Sequence, residues 1–399
     1  MAAWGLSGKQ RWRNPRCVKW FLVALLVAAP VLAEDAEQGD GLELEVPSRL
    51  LAPPIASASS IPAERDLLRR SVAVGGRLYV EHEGQQHQLT IDPALQEQLT
   101  ALLREYQTPW AAVVVLEPST GRVLAMAEHS EAAPGLRGLA TRALYPAASI
   151  FKIVTAAALL DAGVPPAEEL CAYGGKRKVT VAQLTDSERD TRCLTFGRAL
   201  ALSANVIFAK LTSRYLDADK LKAAARAFHF NSPIRFPVPT DVSRAAVPED
   251  TFELALTGAG FGDVYLSPLH GAALASVAAN QGYWRPPVLF EDEALSPPKA
   301  ERVVSEQVAA NLTAMMEETV TDGTARRIFH ERGMGVRGAV GKTGSLADKT
   351  PFRDYSWFVG FAPRESPRVA VAAVIVNDPY WRIRATWLGR EAMRLFLAR

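Results

Sequence analysis

The segment from Tyr145 to Gly163 constrains this chain more than any other. Pro146 and the small residues ahead of Ser149 suit a helix entrance, the apolar run from Ile153 to Leu160 suits a buried helix body, and Gly163 followed by Pro165 and Pro166 ends it. A helix this apolar needs protein on all sides, so a large core must form around it. The spacing predicts Ser149 in the first turn and Lys152 one turn later on the same face. A serine hydroxyl becomes a nucleophile only when a base takes its proton. A lysine can serve once burial or a neighbouring cation lowers its pKa, and the free N–H groups of a helix start suit a developing oxyanion. The competing reading of the segment is an ordinary buried helix. Ser-x-x-Lys recurs at Ser296-Pro-Pro-Lys299, where two prolines after the serine predict a loop instead.

The rest of the chain has the material for such a core. With 399 residues, 22% of them charged, it is not a disordered polymer, and a net charge of +2 leaves no basic surplus for nucleic acid as a partner. Residues 1–33 are a separate material: Lys9, Arg11, Arg13, Arg16 and Lys19 lead an apolar run from Val18 to Ala33. This is a targeting segment, read as a signal peptide cleaved after Val31-Leu-Ala33 or as a retained signal anchor. Either way the remainder is exported, periplasmic or on the outer face of the cytoplasmic membrane, and meets the membrane only through this N-terminal segment. Residues 34–74, rich in Pro, Ser, Ala and Glu, read as a flexible tether. Of three cysteines, Cys17 lies in the leader, and Cys171 with Cys193 forms the one pair in the exported part. A disulfide and two separate buried thiols are both compatible with that pair.

From Gly75 the pattern becomes structured, and residues 75–399 read as one folded unit. Arg77–Glu81 and Gln86–Ile91 flank Gly84 as a hairpin, Asp92-Pro93 starts a helix, and Ala111–Leu116 with Arg122–Met126 forms a second hairpin around Thr120-Gly121. A small hairpin is expected between Gly163 and Cys193. Helices follow over Thr195–Tyr215, Leu221–Phe228, Ser267–Ala279 and Ser305–Val320. Three serial strands, Val336–Leu346, Tyr355–Ala362 and Val369–Val376, precede a closing helix over Thr386–Leu397. The order predicts an α+β fold: an antiparallel β-sheet flanked by helices, in which the first hairpin joins the last strands, with a mainly helical subdomain carrying Ser149 against it.

Two further short motifs give the segment its meaning. Ser203-Ala-Asn205 falls between two apolar helices, where Ser and Asn can relay a proton and hold an amide, although a plain helix cap is the simpler reading of the tripeptide alone. Lys342-Thr343-Gly344 lies in a strand. Gly344 removes a side chain that would keep a ligand backbone away, and Lys342 offers fixed positive charge for a carboxylate and a means of depressing the Lys152 pKa. Standing alone, Lys342 would read as an edge-strand lysine that discourages aggregation.

In that order, Ser149-Ile-Phe-Lys152, Ser203-Ala-Asn205 and Lys342-Thr-Gly344 resemble the three motifs of penicillin-binding proteins and serine β-lactamases. More specifically, the chain resembles the transpeptidase domain of high-molecular-weight penicillin-binding proteins from about Leu89 to its end. Supporting segments include Val115–Met126, Gly260-Phe-Gly-Asp263, Gly323-Thr-Ala325 and Trp357–Pro363. The resemblance implies a β-lactamase/transpeptidase-like fold in which Ser149 attacks the bond between the terminal D-alanines of a peptidoglycan stem peptide, with Lys152 as base and Ser203 in the proton path. It implies that Asn205 holds the peptide, that Lys342 and Thr343 bind its carboxylate beside Gly344, and that the N–H groups of Ser149 and Ser345 form the oxyanion hole. It further implies β-lactams as covalent inhibitors, cell-wall synthesis proteins as partners, and neither a cofactor nor a metal. Ahead of Leu89 there is no room for a glycosyltransferase domain or a large pedestal, and Ala204 stands where the family has Asp or Ser. The rival readings are a D,D-carboxypeptidase or serine β-lactamase, in which water replaces the acceptor amine, and a non-catalytic β-lactam sensor or wall-synthesis scaffold.

Overall fold

Segments more than two hundred residues apart pair to build the centre of the molecule. The computed structural model describes residues 59, 61, 62, 66–175 and 178–399. In it, Val369–Asn377 pairs on one side with Phe352–Ala362 and on the other with Trp110–Leu116. Val340–Lys349 and Val123–His129 complete a five-stranded antiparallel sheet as its two edges. The central strand, Val-Ala-Val-Ala-Ala-Val-Ile-Val-Asn, is buried along its whole length, which is why it shows no polar alternation. Its side chains divide by parity. Val371, Ala373 and Ile375 join Val113 and Val115 under the helices Pro93–Glu105 and Ala385–Leu397, while Ala370, Ala372 and Val374 join Ala112 and Val114 on the opposite face under Pro268–Ala279.

The covering helices follow from local chemistry. Asp92 accepts a hydrogen bond from the Leu95 N–H with Pro93 at the first position, and Leu95, Leu99 and Leu103 then line up at i, i+4 and i+8 against the sheet. Ser267 caps Pro268–Ala279 through the His270 N–H. That helix is buried on nearly every side, because it lies between the sheet and the helical subdomain. The architecture is α+β, with the helical region between residues 148 and 279 resting on one sheet face.

Several boundaries differ from the sequence reading. The first hairpin was expected in the main sheet, but it is the second, Trp110–His129, that enters it. Arg77–His82 and Gln85–Gln88 instead form a separate three-stranded sheet with Val72–Val74. Part of the segment assigned to the tether is therefore folded. Leu67–Arg70 is a helical turn capped by Asp66, Leu67 is buried, and Ile61 packs against the backbone position of Gly138. A buried leucine and a strand partner outweigh the polar composition of this stretch. The leader and most of the tether lie outside the described residues. Among the described residues, no helix is long and apolar enough to cross a membrane.

Candidate active site

The turn that carries Ser149 is held from three directions. Tyr145–Pro146 forms a short strand with Val264–Leu266, the Ala147 N–H donates to Val264 O at 2.9 Å, and the Trp357 indole N–H donates to Pro146 O at 2.9 Å. Ala148 then takes φ +47°, a left-handed conformation that costs an alanine about 1–2 kcal/mol. Strain of this kind survives only where surrounding structure fixes it. Ala148–Ile150 is a 3-10 turn, and the α-helix proper is Lys152–Asp161. In a 3-10 turn side chains at i and i+3 eclipse, which brings Lys152 Nζ to 2.9 Å from Ser149 Oγ.

Lys152 is fully buried, and its amine has two further partners: Asn205 Oδ1 at 2.7 Å and Ala259 O at 2.6 Å. Both are acceptors, so each takes one amine proton. A neutral amine has two N–H donors and one lone pair. With both donors committed, the lone pair is left facing the Ser149 hydroxyl. Burial, and secondarily the charge of Lys342, hold the Lys152 pKa well below its ordinary value, favouring that neutral form.

Ser203 and Asn205 sit where Phe196–Ala201 gives way to Asn205–Tyr215. Ser203 has φ +55°, and Asn205 is the first residue of the second helix, buried with its amide oxygen on Lys152. Lys342 comes from the edge strand Val340–Lys349, points inward with no exposed surface, and donates to Ser203 Oγ at 3.0 Å and to Thr343 O at 2.8 Å. That burial rules out the edge-blunting reading. It also lowers the Lys342 pKa to about 7, so its charge is conditional on pH and not fixed as the sequence reading held. The three motifs thus form two hydrogen-bonded runs, Ser149 through Lys152 to Asn205 and Ser203 to Lys342, which meet because Ser203 and Asn205 share one turn.

Gly344 also has a packing role inside the protein. A Cβ there would meet Ile150 Cγ1 and Trp357 Cβ at 3.2 Å and Ala147 O at 3.4 Å, so the missing side chain lets the strand bear on the nucleophile turn. Thr343 is half-buried and Ser345 exposed, both on the outer run of that strand. Cys171 and Cys193 face each other across the hairpin of Glu169–Ala172 and Arg192–Thr195 and are joined by a disulfide. Lys210, on the Asn205 helix, donates to Cys171 O and pairs with Asp186 and Asp190, tying that hairpin to the site. Ser296 and Lys299 stand on exposed chain after the short helix Glu291–Leu295.

Two participants were missed from sequence. The Ala259 carbonyl that anchors Lys152 belongs to a residue with no side-chain chemistry, and its only signal is the neighbouring run Gly258-Ala-Gly260-Phe-Gly262. Gly260 has φ +91°, and a Cβ there would lie 2.5 Å from Ala148 O. Thr324 is the second, with its Oγ1 at 2.5 Å from Thr343 Oγ1.

An antiparallel sheet with a helical subdomain here presents a serine, two buried lysines and a Ser-x-Asn turn at one place. A family model described as the penicillin-binding protein transpeptidase domain matches residues 111–388. The chain belongs to that family. It is 32% identical over 337 residues to the peptidoglycan D,D-transpeptidase PbpA of Mycobacterium tuberculosis, an alignment covering 72% of this chain and 66% of the relative. Among solved structures, the D,D-transpeptidase domain of a peptidoglycan glycosyltransferase from Eggerthella lenta superposes with TM-score 0.64 at 27% identity, covering 78% of this chain and 82% of that one. An imipenem acyl-enzyme complex of penicillin-binding protein A from M. tuberculosis gives TM-score 0.62 at 28% identity, covering 77% and 79%. The chain spans slightly less than two thirds of the length of the curated PbpA relatives it matches.

Proposed function

We propose that this protein is a serine D,D-transpeptidase that binds penicillin and cross-links peptidoglycan stem peptides through an acyl-enzyme on Ser149. The observation that carries the proposal is the Lys152 amine, 2.9 Å from Ser149 Oγ with its donors spent on Asn205 and Ala259. Lys152 takes the Ser149 proton as Oγ bonds to the carbonyl carbon of the penultimate D-alanine. The N–H groups of Ser149 and Ser345 receive the oxyanion. Collapse breaks the C–N bond, and the proton passes from Lys152 through Ser203 to the departing D-alanine amine. Asn205, Lys342 and Thr343 hold the donor peptide and its carboxylate. An acceptor amine then attacks the ester carbonyl, gives up a proton, and frees Ser149.

The imipenem acyl-enzyme complex of the M. tuberculosis neighbour supports β-lactams as covalent ligands here, with Ser149 as the residue they acylate. Export by the N-terminal segment, with action on the wall outside the cytoplasm, belongs to this proposal, as does a folded transpeptidase domain preceded by leader and tether. Labelling with a fluorescent penicillin tests it: the native chain forms a stable covalent adduct and Ser149→Ala forms none. Equal labelling of both removes Ser149 from its role, and rapid loss of label favours a hydrolytic enzyme.

A further inference from the structure

Lys342 is the family's expected carboxylate anchor, yet here its amine is buried and committed to Ser203 Oγ and the Thr343 carbonyl. Two hydroxyls lie beside it toward solvent. Thr343 is half-buried, Thr324 is exposed, and their Oγ1 atoms are 2.5 Å apart. Thr324 is not a loose surface residue. Its N–H donates to Ala201 O at 3.2 Å, the Ala325 N–H donates to Thr319 O at 3.0 Å, and Gly323 sits so close to Ala201 O and Thr319 that a Cβ would lie 2.4 Å and 2.6 Å from them. The loop after the helix Glu306–Thr321 is therefore fixed to the helix end that leads into Ser203.

We propose that Thr324 is a positioning residue for the donor carboxylate: its hydroxyl donates to Thr343 Oγ1 and turns the Thr343 O–H outward to the anion. A hydroxyl has one proton to donate, and only one proton fits between two oxygens this close. If Thr343 donated to Thr324, its proton would be lost to the ligand. An anion in front of Thr343 selects the other direction, Thr324 to Thr343 to carboxylate, in which each bond polarises the next. This assignment rests on the transpeptidase reading of the site.

The test measures acylation rates of the full chain with a fluorescent penicillin and with its carboxylate methyl ester. Thr324→Val keeps the branched shape and deletes the donor. It is expected to slow the free acid roughly tenfold and to leave the slower ester reaction unchanged. Thr324→Ser restores the acid rate, and adding Thr324→Val to Thr343→Val costs nothing more. An unchanged acid rate in Thr324→Val, an equal fall for acid and ester, or additive losses in the double variant would each overturn the assignment while leaving the acyl-enzyme reading intact. Absence of any Ser149 adduct on the native chain would overturn both.

Discussion

Gly260→Ala is the sharpest test of how the nucleophile is held, because it touches no reacting group. At φ +91° the added Cβ points at the nucleophile turn, 2.5 Å from Ala148 O, 2.9 Å from its carbonyl carbon and 3.0 Å from the Ser149 Cα. All three are backbone atoms, so no side chain can swing aside. The two segments must part by about half an ångström before the contact reaches a distance real Cβ atoms tolerate. The left-handed backbone adds about 1–2 kcal/mol and the overpacking about 1–3 kcal/mol, so a loss of roughly 2–5 kcal/mol is expected. The same movement shifts Ala259 O away from Lys152 and Ser149 away from its base. A displacement near 1 Å costs about a hundredfold in rate, so acylation should fall roughly ten- to a hundredfold. The assay is penicillin acylation beside thermal melting, with Gly262→Ala as control. Gly262 also has positive φ, but its nearest neighbour is the Thr257 hydroxyl at 3.1 Å, a single side-chain atom that need give only a few tenths of an ångström. Native acylation and melting in Gly260→Ala, or equal losses in both variants, would refute the steric argument.

Two other outcomes follow from the site and its surroundings. Acylation needs neutral Lys152, so its rate rises with pH through the lysine's folded pKa. Lys342 lowers that pKa when protonated, so Lys342→Met should move the acid limb of the pH–rate profile to higher pH, and a limb that stays or moves lower would contradict the coupling. Replacing Cys171 and Cys193 with serine opens a link across a sequence separation of 22 and should cost about 3 kcal/mol in denaturant unfolding. Unchanged stability would show that the hairpin does not depend on the bridge.

What the sequence disclosed depended on whether the cause was local. Asp92-Pro93, Ser267-Pro268 and Ser305 each cap a helix through their own neighbours, and Ser149 with Lys152 share a face for the same short-range reason. The strand types were legible as Val- and Ala-rich runs. Their partners were not: the first hairpin was expected beside the last strands, and no local signal says that the second lies beside Val369–Asn377 instead. Gly344 was legible as a missing side chain, but the sequence did not say on which side the space would be used, and it is used by Ile150. Ala259 and Thr324 stayed hidden because a backbone carbonyl and an isolated threonine gain their chemistry only from what the fold brings near them.

The contact of Gly344 with Ile150, and the indole bond to Pro146 from Trp357 on the neighbouring strand, make the edge strand, its neighbour and the nucleophile turn a single wall. Widening the cleft for a bulky donor peptide then cannot be done by peeling that strand away, since the serine would travel with it.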